Sequence, residues 1–433
     1  LLSPPLPSSP LLSPPLPSLL PLTHALTQAL TPTLTLGRPT WFSCSTPSTV
    51  WPQVSAGGYF GERALLLGEP RGAHVIATRK TVCLEVSKDI FDRDLGPLQA
   101  MIDKDRKQRE HIAARRQEML QQRGLQGASI NDFTISAMVL EHDFGQYLVA
   151  KHDATGKQYT FKAIEKTAAV KLNMTTRVMH EHKVVHRLVE DFKFVPSVLM
   201  TLETEAYLLS ICSTTSVTDL HQCMADYGPF DEATALFYAA NVFLGIEYLH
   251  QNGYAYRNVS PEAITLDSSG YVTLTDLRFA AEKDNKVFDL CGNYAYLAPE
   301  QVSSSGHDHA VDYWALGILI YDMMTERTPW TTGDPALDTE EALFSKIASH
   351  YTGALQYPDA FSLELVAILD KLLEPLVAQR ITTPQEFRSN GWLQVVDWEM
   401  LMGGKVAAPH GPECEKLLSE HRAKGISKCL PTT

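Results

Sequence analysis

The sequence predicts an α+β fold: a two-lobed body with a β-rich N-terminal lobe and an α-helical C-terminal lobe, preceded by a partial β-roll and a helical linker. Three observations predict it. After Asp132, the segments FTISAMVLEH, QYLVAKHD and KQYTFKAIEK alternate apolar and polar residues with the period of strands. From Asp231 onward the chain reads as mainly helical. Upstream, YFGERALLLGEPRGAHVIATRKTVCLEV sets a Gly-Glu turn and a short helix before alternating strand-like residues.

The 433 residues, 44% of them hydrophobic, suffice for a large core divided into two or three domains. A formal net charge of −13 argues against nucleic acid or an anionic membrane surface as the main partner. Seven cysteines (Cys44, Cys83, Cys212, Cys223, Cys291, Cys414 and Cys429) lie scattered without disulfide-frame or zinc spacing. A reducing, cytoplasmic setting is expected. The longest apolar run, near residues 314–324, is too short to span a bilayer, so no membrane span is expected.

Residues 1–57 are expected to be a disordered leader. The opening LLSPPLPSSPLLSPPLPSLLPL repeats a Leu-Ser-Pro-Pro-Leu-Pro-Ser phrase, its prolines forbid a continuous helix, and it lacks the features of a secretion signal. A first residue of Leu rather than Met reads as a fragment or an uncertain gene start.

Residues 58–97 suit a phosphate cradle. A turn leading into a short helix points N–H groups at an anion, and an arginine pairs with phosphate oxygens through two donors. The candidates are Gly61, Glu62, Ala64 and Arg71. This segment resembles the phosphate-binding cassette of cyclic-nucleotide-binding domains. The resemblance implies that Glu62 holds the ribose hydroxyl and Arg71 the cyclic phosphate of cGMP or cAMP. Gly72 stands where cyclic-GMP sites often carry Thr or Ser, which leaves the nucleotide open. The upstream barrel strands are missing from the proline-rich leader, so binding is expected only if that barrel is present. The plain alternative is a remnant that binds nothing.

Residues 98–127 form the linker. Good helix formers over 98–123, sparse apolar residues and Gly124 predict an exposed connecting helix with a solvated face. Residues 132–393 follow as the two-lobed domain. Helices are expected near 177–189, over 231–250 with amphipathic spacing, after Val311, near 339–348 and over 362–373. Residues 394–433 make a short tail.

Several anchors then fall in one order. Lys162 stands in TFKAIEK, Glu181 in MHEHKVV, Asn258 in YRNVSPEAI, Asp276 in LTDLRFA and Glu300 at the end of YLAPE; Asp312 and Arg380 follow. This set resembles the protein kinases. CGNYAYLAPE, AVDYWALGILIYDMM and IEYLHQNGYAYRN look most like the AGC serine/threonine kinases, in the branch of cyclic-GMP-dependent protein kinases. The chain is also similar to plant and algal chains that carry a type 2C protein phosphatase domain upstream. The resemblance implies that Lys162 contacts ATP phosphates and pairs with Glu181, that Asp276 holds magnesium, and that Glu300 pairs with Arg380. Gly145 and Tyr147 fall in the glycine-rich loop and at the adenine roof.

The departures fall where phosphoryl transfer is most demanding. Asn258 replaces the aspartate that accepts the substrate proton, and an amide lacks its basicity; loss of a general base costs about 10² to 10⁴ in rate. Ala263 replaces the asparagine that holds one magnesium ion, removing an oxygen ligand. Arg278 replaces a glycine after Asp276, where it either pairs with Asp276 in competition with metal or points to solvent; Leu277 replaces Phe. Leu140 and His142 replace two loop glycines, Tyr147 replaces a smaller valine and partly fills the adenine pocket, and Ser260 replaces a phosphate-contacting lysine. Even mild versions of these effects take a turnover of about 1 to 100 per second to roughly 10⁻² or lower.

Asp289 occupies the place of the activating phosphothreonine, and a constitutive Asp289–Arg257 pair is one expectation; an exposed loop aspartate is the other. His180 and His182 flank Glu181 two apart and so share no helix face, which argues against a metal site. His307-Asp308-His309 reads as a polar turn opening a helix at Asp308. The tail KVAAPHGPECEKLLSEH starts like an AGC tail without its terminal aromatic motif.

The leading expectation is a cyclic-nucleotide-linked kinase homologue that signals by binding ATP or protein partners, with little phosphoryl transfer: a pseudokinase. Two alternatives stay open. One is an active cGMP-dependent-type serine/threonine kinase using ATP and magnesium. The other is an interaction scaffold that binds no nucleotide.

Overall fold

Period-two alternation sorts the N-terminal lobe into two faces. A computed structural model describes residues 106–424 except 108–109, 143–144, 189–191, 335 and 350–354. The leader, and the cradle residues Gly61, Glu62, Ala64 and Arg71, lie outside the described residues. Five antiparallel strands form one sheet in the order β1-β2-β3-β5-β4: β1 (Phe133–His142), β2 (Gly145–His152), β3 (Gln158–Glu165), β4 (Val198–Glu203) and β5 (Tyr207–Cys212). Leu148, Ala150, Tyr159 and Phe161 point to the outer face and form one core with Leu125 and Phe133. Tyr147, Val149, Thr160 and Lys162 have the opposite parity and face the second lobe.

The linker helix α1 (110–123) corrects the expectation of a fully solvated element. Ile112 is buried, and Met119 and Leu120 pack against the outer core of the sheet. Its apolar residues are sparse because only one narrow stripe meets the lobe. Two helices follow β3: α2 (Lys166–Lys171) and α3 (Thr175–Arg187), the latter burying Val178, Glu181, Val184 and Val185 against the lobe.

The second lobe is built on α5 (Glu232–Gln251) and α6 (Ala310–Thr325), which pack on each other after α4 (Leu220–Tyr227). Asp231 caps α5, its carboxylate accepting the Thr234 N–H at 2.8 Å. Residues 237–246 of α5 are buried without a break, so the expected amphipathic face is corrected to burial all round. The helix expected to open at Asp308 starts instead at Ala310, with the Asp308 carboxylate accepting the Ala310 N–H. His307 is buried, and its backbone pairs with Val287. α7 (Glu340–Ser349) and α8 (Leu363–Leu372) complete the helical core.

Three short strands, β6 (Ser216–Asp219), β8 (Ile264–Asp267) and β9 (Val272–Leu274), pair beneath the crevice between the lobes, while β7 (Tyr254–Ala255) pairs with β10 (Ala281–Glu282). A last helix, α9 (Gly411–Lys424), was not anticipated from the tail. It packs against β1 and β6.

Candidate functional site

The loop between β7 and β8 is held from below by Asp312. This fully buried carboxylate accepts the backbone N–H groups of Tyr256 at 2.8 Å and Arg257 at 2.6 Å, and pairs with His250 Nε2 at 2.7 Å. These bonds fix Arg257 in the left-handed region, with φ of 63°. Asn258, also buried, points its amide toward the Asp276 carbonyl at 3.4 Å. Gly292 crosses so close that a Cβ would lie 3.0 Å from the Arg257 carbonyl oxygen, at a φ of 96° that favours glycine.

Alternation in β3 aims Lys162 into the crevice, and one turn of α3 aims Glu181 at it. Lys162 Nζ donates to Glu181 Oε1 at 2.6 Å and to the Thr275 carbonyl at 3.3 Å. The same Glu181 oxygen accepts the Leu277 N–H at 3.1 Å, tying helix, strand and loop to one carboxylate. Burial pulls the Lys162 ammonium down, but Glu181 and the other anionic neighbours outweigh it and leave it above the usual lysine range.

Arg278 pairs with Asp276 rather than facing solvent. Its Nε donates to Oδ1 at 2.7 Å and its Nη2 to Oδ2 at 2.6 Å, so both carboxylate oxygens carry a guanidinium donor. Burial pushes the Asp276 carboxyl up, yet the bonds and charge of Arg278 hold it below the ordinary range.

The crevice above this pair is lined by the chain's own groups. Tyr147 is buried, its ring centroid 5.9 Å from Lys162 Nζ. Thr160 Oγ1 accepts the Ser216 N–H at 3.0 Å, and the Ser216 and Thr265 hydroxyls lie 3.1 Å apart, all three residues buried. Val149, Val217 and Leu418 close the apolar side. Sequence reasoning singled out Tyr147 and missed Thr160, Ser216, Thr265 and Leu418, because nothing local marks three common residues and a tail leucine as neighbours. Gly145 lies in β2, where a Cβ would sit 3.1 Å from the Ala163 carbonyl.

Beside the loop, Arg257 Nη2 donates to Asp289 Oδ1 at 2.5 Å, and Arg177 of α3 lies 3.7 Å from Oδ2. The role of Arg177 was not anticipated. Deeper, Arg380 donates from Nη1 and Nη2 to the two Glu300 oxygens at 2.6 and 2.9 Å and from Nε to the Glu374 carbonyl, a buried fork. Among the described residues no group of three or more His, Cys, Asp and Glu side chains is placed to hold a metal ion.

The family model for the protein kinase domain matches residues 141–393. This chain belongs to the protein kinase domain family. Among its relatives, a Drosophila melanogaster cGMP-dependent protein kinase, isozyme 1, is 27% identical over 402 residues, covering 88% of this chain and 50% of the relative. A Toxoplasma gondii cGMP-dependent protein kinase is 28% identical, over 82% of this chain and 34% of the relative. A human cAMP-dependent protein kinase catalytic subunit is 29% identical, over 66% and 78% respectively. The chain thus spans half the length of the Drosophila relative and about a third of the Toxoplasma one.

A kinase domain implies ATP and magnesium, and the residues at the metal position do not fit magnesium. Both oxygens of Asp276 are taken by Arg278. Ala263 offers only a carbonyl, already accepting from Thr275 and the Tyr256 hydroxyl. Between the lobes a cavity remains, walled by Tyr147, Thr160, Lys162, Glu181 and Ser216.

Proposed function

We propose that this kinase domain is a pseudokinase: a signalling module that works by binding protein partners, with little or no phosphoryl transfer. The observation that carries the reading is the pair of hydrogen bonds from Arg278 to Asp276, which places a cation on the carboxylate that kinases use for metal. Asn258 removes the general base, and Ser260 removes a charge at the same centre. The shape is nevertheless assembled. Lys162–Glu181, Asp289–Arg257 and Glu300–Arg380 are all closed, which suits a fixed docking surface. The relatives named cGMP-dependent kinases support placing the module in cyclic-nucleotide signalling; Glu62 and Arg71 toward cGMP or cAMP, and a cytoplasmic setting, belong to the same proposal from the sequence.

A second reading, residual serine/threonine kinase activity, is favoured by the 2.6 Å Lys162–Glu181 pair. The test is transfer of labelled γ-phosphate from ATP to a generic protein substrate by the full chain, with magnesium or manganese. Lys162→Met is the control. Incorporation absent from wild type supports the pseudokinase; incorporation that vanishes only in Lys162→Met replaces it with the second reading.

A further inference from the structure

We propose that His307 is an acid-sensitive catch: it holds the segment around Val287 against the entry to α6 at neutral pH and lets that segment go in mild acid, while the helical core stays folded. The inference goes beyond the pseudokinase reading and does not rest on it, since the segment is docked whether or not phosphate is transferred.

The catch joins two stretches separated in sequence. The Val287 N–H donates to the His307 carbonyl at 3.0 Å, and the His307 N–H donates to the Val287 carbonyl at 2.9 Å. These two bonds form an isolated antiparallel bridge between the segment before Asp289 and the turn before α6. Gly306 lets it close: its φ is 86°, and a Cβ there would meet the Phe288 ring at 2.8 Å. Asp289 lies two residues after Val287, so the bridge and the Arg257–Asp289 pair tie down the same segment.

The side chain at this bridge is poorly provided for. His307 is 2% exposed, and neither ring nitrogen has a hydrogen-bond partner among the described residues. A neutral imidazole so placed forgoes one donor and one acceptor, whereas a protonated one forgoes two donors and buries a charge. The charged groups around it do not reverse this. Arg257 faces it from the loop between β7 and β8, Asp289 from the docked segment, Glu300 from the turn at 299–302 and Asp308 from the next position, while the Lys286 stem lies beside Gly306. Burial, then Arg257, outweigh the three carboxylates and hold the imidazole below its ordinary pKa. A folded value below the unfolded one of about 6.5 means that the docked state is fully favoured above about pH 6.5 and loses ground as pH falls below it. The smallest response is local. The bridge has two hydrogen bonds, and Phe288 and Leu290 beside it are already exposed, so the segment opens without disturbing α5 or α6.

The test is hydrogen exchange on the full chain at pH 7.5 and 5.5, corrected for the intrinsic pH dependence of amide exchange and read on peptides spanning 284–290 and 303–309. A ring that regains an ordinary pKa of about 6.5 on release shifts the opening equilibrium about tenfold over that interval. Wild type is expected to lose about tenfold in protection at both stretches relative to α5 and α6, and His307→Phe no more than about twofold, because it keeps a buried ring that does not titrate. A wild-type loss under about twofold overturns the catch, as does an equal loss in His307→Phe. His309 provides the control: a loss that His309→Gln abolishes and His307→Phe leaves in place assigns the sensitivity to His309 and overturns the proposal. If His307→Phe lacks α5 and α6 protection at pH 7.5, the NMR titration of the wild-type ring decides. A value at or above about 6.5 overturns the catch, and a lower one supports it.

Discussion

Arg278 reaches back two residues to Asp276 and covers both of its carboxylate oxygens, at 2.7 and 2.6 Å. The pair is largely buried, so each charge depends on the other. Arg278→Ala should cost about 3 kcal/mol, the typical loss on breaking a buried pair. Millimolar Mn²⁺ should then recover part of the loss by neutralising Asp276, while leaving wild type unmoved. Urea unfolding with and without Mn²⁺ checks this. An equal response of both proteins would show that Arg278 does not guard the carboxylate.

Lys162 and Glu181 form a second buried pair, with side chains 13% and 7% exposed. Lys162→Met strands the Glu181 charge and should destabilise by about 3–5 kcal/mol. Lys162→Met combined with Glu181→Leu should regain most of that, because both charges leave together. A double-mutant cycle by denaturant unfolding measures the coupling. A single-variant cost under about 1 kcal/mol would place the pair in solvent-like surroundings.

Asp289 is half exposed and lies between Arg257 and Arg177. Burial pushes its carboxyl up, but Arg257 and then Arg177 hold it below the ordinary range. A folded pKa below the unfolded value of about 3.9 means that the pair's stabilisation is full above about pH 4 and is lost as pH falls through the folded value. Asp289→Asn should therefore raise proteolysis of the segment around 289 at pH 7 by up to about fivefold, a half-exposed pair being worth about 1 kcal/mol at most. The two proteins should converge in acid. Equal cleavage at pH 7 would assign Asp289 to the ordinary loop reading.

Arg116 of the linker helix contacts His186 Nδ1 and donates from Nη2 to the His186 carbonyl at 3.1 Å, near the end of α3. Burial, then Arg116 and His182, push His186 down to about 4. Its unfolded value is about 6.5, so this contribution is complete above about pH 6.5 and is lost as pH falls toward 4. Thermal melts should show wild type losing stability between pH 7 and 5 more than His186→Gln does. Arg116→Gln should shift the loss toward pH 6.5. Parallel pH curves for all three would dismiss the contact.

Much of the site was legible because its residues sit in ordered motifs. Lys162, Glu181, Asp276, Glu300 and Arg380 were placed by local wording, and β1 begins and ends where its alternation does. Arg177 was not legible, because Asp289 reaches it only after the chain folds back across the lobes. Nor were Thr160, Ser216 and Thr265, whose hydroxyls and backbone meet from three separate strands. The α9 stripe was present in CEKLL and went unread, since a tail with few apolar residues reads as exposed until a partner face is known.

The sequence by itself determined the two-lobed architecture and which functional groups the catalytic-loop positions carry. An amide at 258 lacks a carboxylate's basicity and an alanine side chain at 263 lacks a metal-ligating oxygen in any conformation. Only the tertiary structure decided that Arg278 turns onto Asp276, that Arg116 meets α3, and that Leu418 closes over Tyr147. Side-chain chemistry is a property of one residue, whereas direction and burial are set by whichever distant segments pack beside it.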